Sequence, residues 1–64
     1  MYYEIKGYNA VKPVQAYTDV AYNKSEKNEL IKRYKEYLNN KELDMFKVFS
    51  YLNDGKLKGV VTYA

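Results

Sequence analysis

The sequence predicts a small α+β fold, in which one amphipathic helix packs on one face of a small antiparallel sheet. A central stretch has apolar residues at helical spacing, and an Asp-Gly dipeptide separates two strand-like runs near the C-terminus. A chain of 64 residues has the length of one domain. It buries only about 60% of the surface that its unfolded form exposes, so its core can hold one helix against one sheet. We therefore predict a single domain over residues 1–64 with the element order ββαββ.

The first predicted strand covers residues 2–8, where the side chains alternate between two faces. Tyr3 and Ile5 lie on one face. The opposite face carries Tyr2, Glu4, Lys6 and Tyr8. The alternation ends between Gly7 and Pro13, because glycine and proline interrupt regular structure.

Residues 14–22 fit two kinds of element. A strand would alternate through Val14, Ala16, Thr18, Val20 and Tyr22. A helix would place Val14, Tyr17, Val20 and Ala21 in one stripe. We predict a strand and keep the order βααββ as the alternative.

The helix is predicted from Glu26 to about Asn40, with Ser25 as its N-cap. Its apolar positions lie within a sector of about 120°. They are Leu30, Ile31, Tyr34, Tyr37 and Leu38. The pair Asn39-Asn40 is expected to end the helix, because asparagine tolerates the left-handed backbone conformation that often follows a helix.

A β-hairpin is predicted around Asp54-Gly55, with these two residues in a type I′ turn and Asn53 paired with Lys56. That register places on one face the pairs Leu52 with Leu57, Ser50 with Gly59, Val48 with Val61, and Phe46 with Tyr63. It places on the other face the pairs Tyr51 with Lys58, Phe49 with Val60, and Lys47 with Thr62. The first face is nearly all apolar and is the predicted core face.

Charge and tyrosine content favour binding over chemistry. The chain has 11 basic and 8 acidic residues without a basic block, an excess that favours acidic partners only weakly. Arg33 is the one arginine, which argues against sequence-specific reading of DNA. The chain has nine tyrosines, a residue type that is enriched at protein interfaces. The alternative explanation is an AT-rich genome, which raises the content of tyrosine, lysine and asparagine in all its proteins.

The absence of cysteine and histidine excludes disulfides, Cys/His zinc sites and haem ligation, so we predict no cofactor and no metal site. No apolar run is long enough for a membrane span or a signal peptide. A cysteine-free chain also fits a reducing compartment. We expect a cytoplasmic protein that does not contact membranes.

The same composition argues against an enzyme. Ser25 and Ser50, two of the remaining hydroxyl nucleophiles, have structural explanations as a helix cap and as a sheet residue. Glu26 and Glu29 lie at the start of the helix, where acidic residues stabilise the helix dipole. We therefore predict a protein that acts by binding and not by catalysis.

The sheet face away from the helix is the candidate binding surface, because one helix covers only one side. Its predicted members are Tyr2, Lys6, Tyr8, Lys47, Phe49, Tyr51, Lys58 and Val60, with Tyr17 as a further candidate. Phe49 and Tyr51 are the expected anchors, and Lys47 and Lys58 are expected to attract an acidic partner.

Three interpretations compete for this surface. The first is a protein-binding site, and the second is a site for single-stranded nucleic acid, whose bases stack on sheet aromatics. The third is a face closed by a homodimer or covered by loop 9–13. Protein binding is favoured because the positive charge is spread over both sides of the molecule and compensated by acidic residues.

The small size, the starting methionine and the richness in Tyr, Lys and Asn are typical of proteins that compact phage or mobile-element genomes encode. The resulting expectation is a complete, non-enzymatic protein-binding module that inhibits or modulates a host protein. Single-strand binding and self-association are the alternatives.

Overall fold

The described part of the computed structural model comprises residues 1–9 and 14–64, with the backbone alone for residues 14–16. Its elements are β1 (Tyr2–Asn9), β2 (Val14–Ala21), α1 (Lys24–Asn39), β3 (Met45–Tyr51) and β4 (Leu57–Tyr63). The strands form one sheet in the order β2-β1-β3-β4, in which all neighbours are antiparallel.

The predicted α+β fold with the order ββαββ is confirmed. The second segment is a strand, so the βααββ alternative is wrong. Most of the predicted covering loop, residues 10–13, lies outside the described residues.

Strand β1 lies inside the sheet, between β2 and β3. Its alternation separates two faces, as predicted: Tyr3, Ile5 and Gly7 are buried, whereas the residues between them are half-buried. The register with β3 pairs Ile5 with Val48, and both side chains lie in the core. The apolar positions of β1 and β3 therefore form one continuous floor under the helix.

The helix begins two residues earlier than predicted, because Asn23 and not Ser25 is the N-cap. The Asn23 side chain accepts a hydrogen bond of 2.8 Å from the backbone N–H of Glu26. The Glu26 carboxylate reaches back to accept from the N–H of Tyr22 at 3.0 Å. This reciprocal pattern resembles a capping box, which Asn23 and Glu26 form because they lie three residues apart.

The helix ends in a Schellman motif. Lys41, and not one of the two asparagines as expected, has the left-handed backbone conformation, with φ 62°. Its N–H donates to the carbonyl of Leu38, and the N–H of Glu42 donates to the carbonyl of Tyr37. Asn40 is the C-cap, so the predicted end is correct within one residue.

The hairpin turn differs from the predicted type I′ turn. Leu52 accepts from the N–H of Gly55 and donates to the carbonyl of Lys56, so Leu52 and not Asn53 is opposite Lys56. Gly55 has φ 87°, as in a three-residue loop that ends in a left-handed glycine. A bulge near Tyr51 then restores the predicted register from Ser50 and Gly59 onward.

The core lies between α1 and the sheet. Its buried members are Ile5, Tyr34, Leu43, Phe46 and Val48, with Leu30, Ile31, Tyr37, Leu38 and Tyr63 packed around them. The apolar helix stripe predicted from the sequence is thus the stripe that faces the sheet. Tyr34 is its centre: the ring is fully buried and its hydroxyl donates to Asp19 on β2 at 2.7 Å.

Burial raises the pKa of the Tyr34 phenol well above its ordinary value, and the hydrogen bond to the Asp19 carboxylate raises it further. The neutral phenol is therefore the form that the fold stabilises. Tyr17 packs nearby, with its ring stacked on Tyr37 at 4.8 Å. The helix is in this way attached to β2 by an aromatic cluster.

Candidate functional site

The open face is the side of the sheet opposite α1. Its positions follow from the strand register: Tyr2, Glu4, Lys6 and Tyr8 on β1, Met45, Lys47, Phe49 and Tyr51 on β3, Thr18 and Val20 on β2, and Val60 and Thr62 on β4. The inner-strand members are half-buried by their neighbours alone. No element formed by the described residues lies over this face.

Aromatic rings occupy one end of the open face. Tyr2 lies directly opposite Tyr51, and their rings stack with centroids 5.0 Å apart. The ammonium of Lys6 lies 5.5 Å from the centroid of the Phe49 ring, within the range of a cation–π contact. Three rings and one cation thus form a preorganised patch, because each ring is held by a neighbour on the adjacent strand.

The charges of the open face are unevenly compensated. Lys6 lies directly opposite Lys47, an arrangement of like charges that costs stability in an antiparallel pair. Glu4 approaches Lys6 at 3.5 Å and also accepts a hydrogen bond of 3.3 Å from the Tyr51 hydroxyl. Within residues 1–9 and 14–64, the ion pair of Glu4 involves Lys6 and leaves the charge of Lys47 uncompensated.

The pKa of Tyr51 is raised by partial desolvation and by the neighbouring Glu4 carboxylate. The phenol is therefore held protonated, with its O–H directed to Glu4. A partner that covers this end of the sheet would contact an apolar ring edge and not a phenolate.

Seven of the residues predicted for the binding surface occupy the open face together. They are Tyr2, Lys6, Tyr8, Lys47, Phe49, Tyr51 and Val60. Two candidates differ. Lys58 is not opposite Tyr51, because the bulge pairs Tyr51 with Leu57, and Lys58 instead lines a depression on the helix side with Tyr3 and Lys27.

Tyr17 is the second difference, because it lies on the helix side and not on the open face. It is opposite Gly7 on β1, and its ring stacks on that of Tyr37 in α1 with centroids 4.8 Å apart. The alternation of side chains along β2 indicates this difference in the sequence, since Tyr17 must point to the opposite face from Thr18 and Val20.

Met45, Val20 and Thr18 also belong to the open face, although they were not among its predicted members. Each belongs to a strand whose neighbours depend on the strand order, which local patterns do not contain. Glu4 was assigned to the correct side of β1, but its role in holding Lys6 and Tyr51 follows only from the pairing of β1 with β3.

The side chains of the open face can make several kinds of non-covalent contact. Among the described residues, no group of three or more Asp, Glu, Cys or His side chains converges as a metal site would require. In the same part of the chain, no helix has both the length and the apolar character needed to cross a bilayer. Rings, aliphatic groups and ammonium groups offer apolar contact, cation–π contact and ion pairing.

Comparison with protein-family models finds no matching family, and comparisons with curated proteins and with solved structures find no significant match.

Proposed function

We propose that this protein is a small non-enzymatic binding module whose open face docks on a larger protein, and that it acts as an inhibitor or modulator of that protein. The observation that carries the proposal is the uncovered patch of Tyr2, Phe49 and Tyr51, held by stacking and by Lys6. Aromatic anchors that are rigid before binding lose little side-chain entropy on association, as interaction hot spots require.

Protein is favoured over single-stranded nucleic acid by the charges around the rings. Glu4 lies in the centre of the patch, within 3.5 Å of Lys6 and 3.3 Å of the Tyr51 hydroxyl. A carboxylate there would repel a phosphate backbone, whereas a protein partner can complement it with a hydrogen-bond donor or a cation. The stacking of Tyr2 on Tyr51 also removes one ring face from each as a platform for bases.

The location proposed for this interaction is the cytoplasm, and a phage or mobile element is the proposed genetic source. Both rest on composition: the chain has no cysteine and is rich in tyrosine, lysine and asparagine.

The test is capture from a lysate of the source organism with tagged protein, with and without nuclease, followed by mass spectrometry. The decisive variant is Phe49→Ser with Tyr51→Ser. We expect its affinity for the captured protein to fall at least about 30-fold, since a hot-spot residue contributes about 2 kcal/mol or more. Far-UV circular dichroism and thermal unfolding should show that the variant stays folded.

The matched control is Lys32→Ser with Glu36→Ser, a double change of unaltered net charge on the solvent side of α1. Capture should survive in this control. Retained capture by the folded Phe49/Tyr51 variant, or loss in the helix control, would place the site elsewhere. Capture that disappears with nuclease would instead favour nucleic acid, and capture of no protein would leave self-association, which sedimentation would detect.

A further inference from the structure

The β4 shelf is the helix-side surface of β4, formed by Gly59, Val61 and Tyr63, together with the flank of α1 that carries Lys24, Lys27 and Lys35. The shelf exists because α1 packs over β1 and β2. A helix is about 10 Å wide with its side chains, whereas four strands at a spacing of about 4.8 Å extend almost twice as far. One helix therefore leaves the β4 side of the sheet uncovered.

The floor of the β4 shelf is apolar and open. Val61 is 54% exposed, although its partner Val48 on β3 is only 4% exposed. A Cβ atom built on Gly59 would meet no atom within 4 Å. Space above this strand is thus sufficient for a further element to approach the backbone closely.

The wall of the β4 shelf is basic. Lys27 Nζ lies 4.8 Å from the centroid of the Tyr3 ring, and Lys35 Nζ lies 5.4 Å from the centroid of the Tyr63 ring. The depressions along the shelf are also bordered by Lys24, Lys41 and Lys58. Among the described residues that line these two depressions, Asp44 is the one acidic side chain.

The acidic residues of α1 lie away from this wall. Glu26 is engaged at the N-cap, where it accepts from the N–H of Tyr22. Glu29 and Glu36 lie with Lys32 and Arg33 on another part of the helix surface. The helix is therefore basic toward β4 and of mixed charge toward solvent.

We propose that the β4 shelf binds an acidic amphipathic helix of a partner protein. Such a helix would lie beside α1 and complete the helical layer over the sheet. Its apolar residues would contact Val61 and the space above Gly59, and its acidic residues would pair with Lys24, Lys27 and Lys35. The 16 residues of α1 provide a wall about 24 Å long, which corresponds to four turns of the incoming helix.

Charge and ring geometry favour an acidic helix over two other occupants, a second copy of this chain and a nucleic acid. A second copy of the chain would bring a lysine wall toward another lysine wall. A nucleic acid would need free ring faces, but Tyr3 is buried beneath Lys27, and Tyr63 lies between Lys35 and the Phe46 ring that stacks on it at 4.6 Å. The exposed floor is aliphatic, which suits leucine-like side chains and not bases.

This site lies on the opposite side of the sheet from the proposed open-face interaction and does not depend on it. Variants at Val61 and Thr62 can distinguish the two surfaces, because these residues are exposed neighbours on β4 and have opposite orientation.

The experiment titrates the isotope-labelled protein with synthetic peptides of about 18 residues, because isolated helices shorter than about 12–15 residues are marginal in water. The acidic probe carries leucine on one face and glutamate elsewhere, and the control probe carries lysine in place of glutamate. We expect saturable NMR shifts of Gly59, Val61 and Lys35 with the acidic peptide and at least about tenfold weaker binding of the basic peptide.

Val61→Glu should weaken binding of the acidic peptide at least about tenfold, whereas Thr62→Glu, which adds the same charge on the other face, should leave it nearly unchanged. Lys35→Glu gives a second variant at an exposed position and should weaken binding in the same direction. A folded spectrum is required of each variant.

The proposal is overturned if the acidic peptide gives no saturable shifts, or if its shifts lie at Phe49 and Tyr51. Equal binding of the basic peptide would also overturn it, as would an oligothymidylate that binds the shelf more tightly than the peptide. Equal losses in Thr62→Glu and Val61→Glu would indicate pairing along the free edge of β4 instead. None of these outcomes depends on the lysate capture that tests the open face.

Discussion

Gly7 and Gly59 both lie on the helix side of the same sheet, and their surroundings are opposite. A Cβ atom on Gly7 would lie 2.6 Å from Leu43 Cδ1 and 3.2 Å from Tyr34 Cε2, whereas one on Gly59 would meet no atom within 4 Å. The first glycine is needed because the core closes over it. The second is in open space because the helix does not extend over β4.

The two halves of the sheet therefore differ in what they contribute to stability and to binding. The half under α1 contacts the buried Tyr34 of the helix through the hydrogen bond of Asp19, and its Tyr17 stacks on Tyr37. The β4 half has exposed Leu57, Val60 and Val61. Stability should therefore be sensitive to changes in the first half, and binding should be sensitive to changes in the second.

The largest expected effect on stability is that of Tyr34→Phe. The change removes the hydrogen bond of 2.7 Å to the Asp19 carboxylate. A hydrogen bond to a charged group contributes about 1.5–3 kcal/mol, so we expect a loss of that order in the free energy of unfolding. Urea unfolding at neutral pH measures it, and an unchanged midpoint would contradict the central role of this contact.

The same variant should change the response to alkaline pH. Because the pKa of Tyr34 is raised in the folded state, its contribution is complete below the ordinary tyrosine pKa of about 10 and is lost as the pH rises above that value. The difference in stability between wild type and Tyr34→Phe should therefore decrease above about pH 10. A difference that stays constant there would disprove the linkage.

Gly7→Ala should be the next largest effect. The new methyl group would overlap Leu43, which is 2% exposed, and the fully buried ring of Tyr34, so neither neighbour can move freely. Overpacking of this kind costs about 1–3 kcal/mol. Thermal unfolding should show the loss, and a neutral result would mean that the core is less closely packed around β1.

Gly59→Ala is the matched change in the other half and should have the smallest effect, with the opposite sign. The methyl group meets open space, and alanine is favoured over glycine within a strand by about 0.5–1 kcal/mol. We expect a small gain in stability by the same measurement. A loss similar to that of Gly7→Ala would show that β4 is covered on its helix side.

Much of the open face could be predicted because its members alternate along β1 and along the hairpin. Phe49, Val60 and Lys47 were placed correctly even though the turn was assigned wrongly, because the bulge near Tyr51 compensates the longer loop. Lys58 was misplaced by the same bulge. Asp-Gly fits both turn types, and the choice between them depends on how the whole hairpin twists.

The sequence by itself determined the number of elements, the kind of every element except residues 14–22, the core stripe of the helix around Tyr34, and the face to which most strand residues belong. These follow from local periodicity, which depends on neighbours in the chain. The tertiary structure alone decided the strand order β2-β1-β3-β4, the pairing of Lys6 with Lys47, and the position of α1 over β1 and β2. Those features depend on which surfaces pack best when residues far apart in the chain come together. The β4 shelf and its lysine wall combine residues of α1 with residues of β4, and no local pattern in the sequence indicates them.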